Sequence, residues 1–198
     1  MDADLKKEGI VKYISQEWKQ LPSTVKHFAI RGILILTIWC GLYYPILKPD
    51  SRVDNWLTKV TTQAITNSLN RYYGEGFTMT PKVHESNPNS IAQTINYNNE
   101  YALGIWHPCN GLNLFVLYLG FLFCAPGSYV RKGIFSLIGI AFIFVINVAR
   151  CYALVWLNLN KPEWTDFAHH YAFTTIVYVF IFLFWVIFLN EREKIQTK

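Results

Sequence analysis

Apolar residues collect into four runs along the chain, at 28–47, 111–126, 133–157 and 172–189. A helix needs about 20 residues to cross a bilayer, so these runs predict transmembrane spans. The second run is the shortest, and it crosses only with its ends, near Cys109 and Ser128, in the headgroup region. Between the first and second runs the pattern changes. Val53, Trp56, Leu57, Val60, Ala64 and Leu69 recur at helical spacing and predict a helix lying along the outer leaflet. Gly74 and Gly76 end it, and Pro81 and Asn87-Pro88 mark loop. Ile91 to Trp106, with Asn98-Asn99 near its centre, reads as a short hairpin leading into the second span. Ahead of the first run, Leu5, Ile10, Val11, Ile14, Trp18 and Leu21 form a rough helical stripe, as in a segment lying on a membrane surface.

The expected fold is therefore an all-α membrane protein with about four transmembrane helices and an extracytoplasmic segment between the first and second. Its parts are an N-terminal amphipathic segment (1–27), a span (28–47), the extracytoplasmic segment (48–110), a three-span core (111–189) and a tail (190–198).

Composition agrees. The 198 residues are 52% hydrophobic, 17% aromatic and 16% charged, against about 25% charged in soluble domains. Disorder, a collagen-like chain and a disulfide-stapled secreted module are excluded. The net charge of +5 is not gathered into a basic stripe with interleaved aromatics, and no nucleic-acid-binding motif is present. The charge reads instead as topology. Residues 1–27, 127–132 and 190–198 hold ten Lys and Arg in 42 positions, whereas 48–110 and 158–171 hold six in 77. Basic loops stay inside, so both termini are expected in the cytoplasm and 48–110 outside. No small-residue cleavage site follows the first run, so that span is expected to stay as an anchor.

Chemistry is sparse in such a chain, which makes its exceptions informative. Cys40, Cys124 and Cys151 fall within spans, where a thiol behaves as a small hydrophobe. Cys109 sits in His107-Pro108-Cys109-Asn110-Gly111, just before the second span. There, backbone N–H groups and the helix dipole favour a thiolate; the residue is either a nucleophile or a packing and capping group. Arg150 lies inside the third span, where a guanidinium costs about 2.5–3.5 kcal/mol on insertion scales. It either snorkels to the surface or meets a buried partner or reacting anion. Asn147, three residues earlier, shares its helix face and is positioned to orient it. His169 and His170 precede the fourth span, with Asp166 three and four residues upstream to hold an imidazole in one tautomer. The alternating topology brings all these groups to one outer face. A thiol, a general base and a cation are the parts of an acyl-transfer site.

Cys109-Asn110-Gly111, Asn147-Val148-Ala149-Arg150 and the His169-His170 pair, in this order and each beside or within a span, resemble the exosortase/archaeosortase family over roughly residues 100–189. The resemblance implies an integral-membrane cysteine transpeptidase in a short form, with 111–189 as its catalytic core. Such enzymes cleave a C-terminal sorting signal (a short motif, a hydrophobic helix and a basic tail) from exported proteins through a thioester. The protein is then passed to a surface acceptor such as a glycan or lipid. By motif, Cys109 is the nucleophile, Arg150 the electrostatic stabiliser and a histidine of the 169–170 pair the acid/base, with Asn110, Gly111 and Asn147 in support. Many members carry Gly four residues after the histidine. Here Phe173 and Thr174 stand at the two corresponding positions, so both registers are open, with His169 preferred over His170. The resemblance places the protein in a bacterial inner membrane; an archaeal host is compatible with the same residues. No cofactor is expected, and no metal, because Cys109 lacks a ligand cluster. A membrane thiol acyltransferase or hydrolase acting on lipids would use the same nucleophile. A non-catalytic membrane subunit, such as a transporter or haem carrier, is the other alternative.

Overall fold

In the computed structural model, residues 20–84 and 87–196 are described, with side chains to residue 190. Most of the predicted N-terminal stripe lies outside the described residues, as do residues 197 and 198 of the tail. Helix α1 spans Ser23–Leu42 and continues through a π-helical turn (Tyr43–Leu47) and a last turn (Lys48–Asp50). Helix α2 is Arg52–Tyr73, followed by strands β1 (Phe77–His84), β2 (Asn87–Tyr97) and β3 (Glu100–Ile105). A 3-10 turn, His107–Cys109, leads into α3 (Leu112–Cys124), then α4 (Tyr129–Asn160). Short turns over Pro162–Ala172, the last of them π-helical, lead into α5 (Phe173–Gln196).

Among the described residues, three helical stretches are long and apolar enough to cross a membrane: Ser23–Asp50, Tyr129–Asn160 and Pro162–Asn190. The protein is a membrane protein. The helix α3, predicted as a second span, has 13 residues and is about 20 Å long at 1.5 Å per residue. That falls short of the roughly 30 Å hydrocarbon thickness, and the count of four spans reduces to three long helices and one short one. Apolar side chains on α1 such as Ile33, Leu34 and Ile38 point away from the protein, as suits a helix surrounded by lipid.

The all-α expectation is corrected by the segment between α1 and α3. Helix α2 forms where the spacing predicts it. Beyond it lies a three-stranded antiparallel sheet in the order β1-β2-β3. The hairpin β2–β3 turns at Asn98 and Asn99, both with positive φ (49° and 69°), the pair of left-handed residues a tight hairpin turn requires. Strand β1 is unanticipated. Its Phe77, Met79, Pro81 and Val83 alternate, but Pro81 reads as a loop signal. Proline is tolerated here because β1 is an edge strand, with Pro81 opposite Gln93 of β2.

Two apolar clusters organise the protein. Ile65 and Leu69 of α2 meet Phe77, Ile95, Ala102 and Ile105 of the sheet and Cys151 and Val155 of α4. Tyr118 and Leu122 of α3 meet Ile143 of α4 and Val177, Ile181 and Phe188 of α5. Helix α4 serves both, its 32 residues running about 48 Å. Where α3 ends, the buried Lys132 ammonium donates to the Phe123 carbonyl at 3.0 Å, satisfying an end-of-helix acceptor. Arg131 donates in the same way to the Phe188 carbonyl.

The closest fit in the second cluster is the Tyr118 ring against Gly139, where a Cβ would lie 2.2 Å from ring carbons. The Tyr118 hydroxyl donates to the Phe135 carbonyl at 2.8 Å. Because the ring is buried and tethered, it has no room to withdraw. Gly139→Ala is expected to destabilise the protein by about 1–3 kcal/mol through overpacking. Thermal unfolding in detergent checks this, with the neighbouring Gly133→Ala, whose Cβ meets nothing within 4 Å, as the benign comparison.

Candidate active site

The turn Trp106–Gly111 runs between the sheet and α3. Pro108 sits in the first turn of the 3-10 segment, where its missing N–H costs nothing, and the Cys109 N–H donates to the Trp106 carbonyl at 2.8 Å. Gly111 then takes φ +90°, a left-handed conformation that favours glycine, and α3 starts. A Cβ there would approach Asn147 Nδ2 to 3.3 Å. That close approach has a purpose: Asn147 Nδ2 donates to the Cys109 carbonyl at 3.0 Å. Asn147 is fully buried on α4 between Ile143 of one cluster and Cys151 of the other. One polar residue in the apolar stripe 143–147–151 thus ties a membrane helix to the Cys109 peptide. The amide is used there, and not in orienting Arg150 as its shared helix face suggests.

The Cys109 thiol is half-buried, and its Sγ lies 3.8 Å from His169 Nε2. His169 is presented by the π-helical turn Ala168–Ala172, whose extra residue rotates successive side chains relative to an α-helix. Its carbonyl accepts from the Thr174 hydroxyl at 3.1 Å. Of the two candidate histidines, His169 meets the thiol. His170 is exposed and pairs with Asp166 at 3.3 Å, so the carboxylate contacts the other imidazole. The guanidinium of Arg150, with His170 and Asp166, acts electrostatically on His169. Arg150 is not fully solvated: its Nε is shut off from solvent and has no hydrogen-bond partner among the described residues, and Asn147 Oδ1 is in the same position. A cation with an unused donor, close to a thiol–imidazole pair, can stabilise an anion formed there. Among the described residues no group of three metal-ligating side chains occurs.

Two features escape the sequence. Asp54 is buried at 1% exposure and accepts from Asn110 Nδ2 at 2.9 Å and from the Tyr43 hydroxyl at 3.1 Å. In sequence it looks like an ordinary acidic residue in the first turn of a helix. The other is a cavity of about 550 Å³ on the α1 side of the turn, walled by Trp39, Tyr43, Lys48, Trp106, His107 and Pro108. Its aromatic residues come from segments far apart in the chain, so no local spacing announces it.

His107 closes one side of that cavity. Its Nε2 meets Asn55 Oδ1 at 2.9 Å and its Nδ1 meets the Ser90 hydroxyl at 3.3 Å.

A short apolar helix headed by a cysteine, a half-buried arginine on the adjacent span and a histidine at the start of the last one define a membrane protein with a thiol–imidazole site. The sequence matches the transmembrane exosortase family (Exosortase_EpsH) over residues 26–189, which includes all of these elements. The chain belongs to that family, whose members are membrane transpeptidases of the sorting type. No curated protein and no solved structure matches it.

The environment of His107 generates a pH dependence. Burial pulls its pKa below the ordinary 6.5, against the opposing influence of Asp54. The unfolded chain then binds the proton more readily than the folded one, so stability is complete above pH 6.5 and falls as the pH drops below it. The melting temperature of the wild type is expected to fall between pH 7.5 and 5.5, with a shallower slope for His107→Gln. Equal slopes would remove His107 as the source.

Proposed function

We propose that this protein is a cysteine transpeptidase that cleaves the C-terminal sorting signal of exported proteins and passes them to a surface acceptor, a glycan or lipid. The observation that carries this reading is the 3.8 Å approach of Cys109 Sγ to His169 Nε2. That distance is long for a hydrogen bond, as it often is before substrate tightens a site. The substrate's hydrophobic helix packs beside the spans and brings its scissile peptide to the turn. His169 takes the thiol proton as Cys109 Sγ attacks the carbonyl carbon. The oxyanion is stabilised by Arg150, whose charge is worth more where water is excluded. The C–N bond then breaks, His169 returns the proton to the leaving amine, and a thioester links Cys109 to the shortened protein. An acceptor amine or hydroxyl attacks the thioester carbonyl, gives its proton to His169, and the thiol is restored. Asn110, Gly111 and Asn147 hold the turn through both stages. The distribution of Lys and Arg supports a multi-pass protein of the inner membrane, with the site on the extracytoplasmic side and both termini in the cytoplasm.

The test is cleavage of an epitope-tagged exported protein of the same cell that ends in a short motif, an apolar helix and a basic tail. Cys109→Ala is expected to abolish cleavage and Arg150→Ala to slow it by about 10²–10³-fold, the scale for losing an oxyanion donor. His169→Ala is expected to be far more damaging than His170→Ala. Substantial cleavage by Cys109→Ala would eliminate the covalent route, and wild-type rates from Arg150→Ala would remove that residue from the mechanism. The mass of the acyl group on Cys109 distinguishes a peptide thioester from a fatty acyl chain.

A further inference from the structure

Asp54 is a buried carboxylate for which the reaction above has no use. It lies in the first turn of α2, where unpaired N–H groups favour negative charge. Its two oxygens accept from two different elements: Oδ2 from the Tyr43 hydroxyl at 3.1 Å and Oδ1 from Asn110 Nδ2 at 2.9 Å. Asn110 is also buried, and its two ends do different work. Nδ2 faces the Asp54 carboxylate and, at 3.3 and 3.4 Å, the Asp54 carbonyl and Thr58 Oγ1, while Oδ1 accepts the Leu112 N–H at 2.9 Å. An amide has one accepting and one donating end, whereas a carboxylate only accepts. The carboxylate at 54, the shortest of the Nδ2 contacts, thus holds Asn110 in the orientation that caps the start of α3.

We infer that Asp54 is a positioning residue. It orients Asn110, which holds the turn carrying the Cys109 thiol against His169. This rests on the reading of Cys109 as the nucleophile. Tyr43, on the other oxygen, lines the cavity on the α1 side of the turn, so the same carboxylate joins that cavity wall to the Cys109 turn. The pairing has a directional signature. Asn110→Asp sets carboxylate against carboxylate at the 54–110 contact. Adding Asp54→Asn restores a donor and an acceptor: the new amide donates to residue 110, which still accepts from Leu112, and its oxygen still accepts from Tyr43.

Two readouts test it in the full-length protein in detergent. The first is hydrogen exchange of the amides at 107–113, which needs no substrate. The second is kcat and KM for the tagged reporter. Asn110→Asp is expected to speed exchange of the Leu112 amide at least about tenfold and to lower kcat by about ten- to a hundredfold at unchanged KM. The double variant Asp54→Asn with Asn110→Asp is expected to recover most of both. Asn70→Ala is the control. It removes a half-buried clamp between α2 and β1, in which Asn70 bonds both the N–H and carbonyl of Phe77 at 2.9 Å. It is expected to lower the melting temperature without changing exchange at 107–113 or kcat. Wild-type exchange or kcat in Asn110→Asp, or no recovery in the double variant, overturns the inference. If Asn110→Asp does not accumulate, accumulation of the double variant with protected 107–113 amides supports it, and failure of both overturns it. If the wild type cleaves no reporter, the transpeptidase reading fails while exchange still decides whether Asp54 holds the turn.

Discussion

The Cys109 carbonyl and the Asn110 side chain are polar groups on a turn wedged between apolar packing on two sides, with little water to satisfy them. A buried donor or acceptor left without a partner costs about 1–3 kcal/mol, so their partners must come from the protein. Asn147 of α4 supplies one and Asp54 of α2 the other. These two bonds join a membrane helix to the packed unit between α1 and α3. They do so at the residues that bracket the thiol, and the site's geometry follows from them. Gly111 must adopt a left-handed conformation and carry no Cβ, because Asn147 occupies the adjoining space.

Helix α4 makes this junction possible. It is longer than a bilayer's hydrocarbon thickness, and its two ends belong to different cores. The earlier part packs on α3 and α5, the later part on the sheet. Asn147 and Arg150 fall where one core gives way to the other. Polar and charged side chains are least costly at such a boundary, where backbone groups and a neighbouring turn provide partners. The sheet contributes no chemistry of its own. It is the apolar mass that presses α2, and with it Asp54, against the turn.

Family membership and site geometry are independent lines. The match over residues 26–189 rests on the sequence as a whole, whereas the approach of Cys109 to His169 is a feature of the fold. The matched residues include Cys109, Arg150 and His169. A 13-residue α3 is shorter than the hydrocarbon thickness of a bilayer, so its two ends cannot both reach an interface.

How much of this was legible depends on range. Apolar runs announce the long helices because lipid imposes a length and a composition on any chain that crosses it. Helical spacing announces α2, and Asn98-Asn99 announces the hairpin, because both signals are local. Cys109, Arg150 and the histidine pair stand out as rare chemistry in an apolar setting. Strand β1 was hidden because Pro81 is a loop signal everywhere except on a sheet edge, and edge status is a tertiary fact. The family resemblance left both histidine registers open with His169 preferred, and the π-helical turn is what presents His169 to the thiol. Asp54 looks ordinary in the sequence, a first-turn acid, and Asn147 stands out there only as a neighbour of Arg150. Only folding brings one to Asn110 and the other to the Cys109 carbonyl. The sequence by itself determined which stretches are long and apolar enough to cross a bilayer and which side chains carry rare chemistry among them. The tertiary structure decided which of them touch, because hydrogen-bond satisfaction in a dry interior is a constraint between residues distant in the chain.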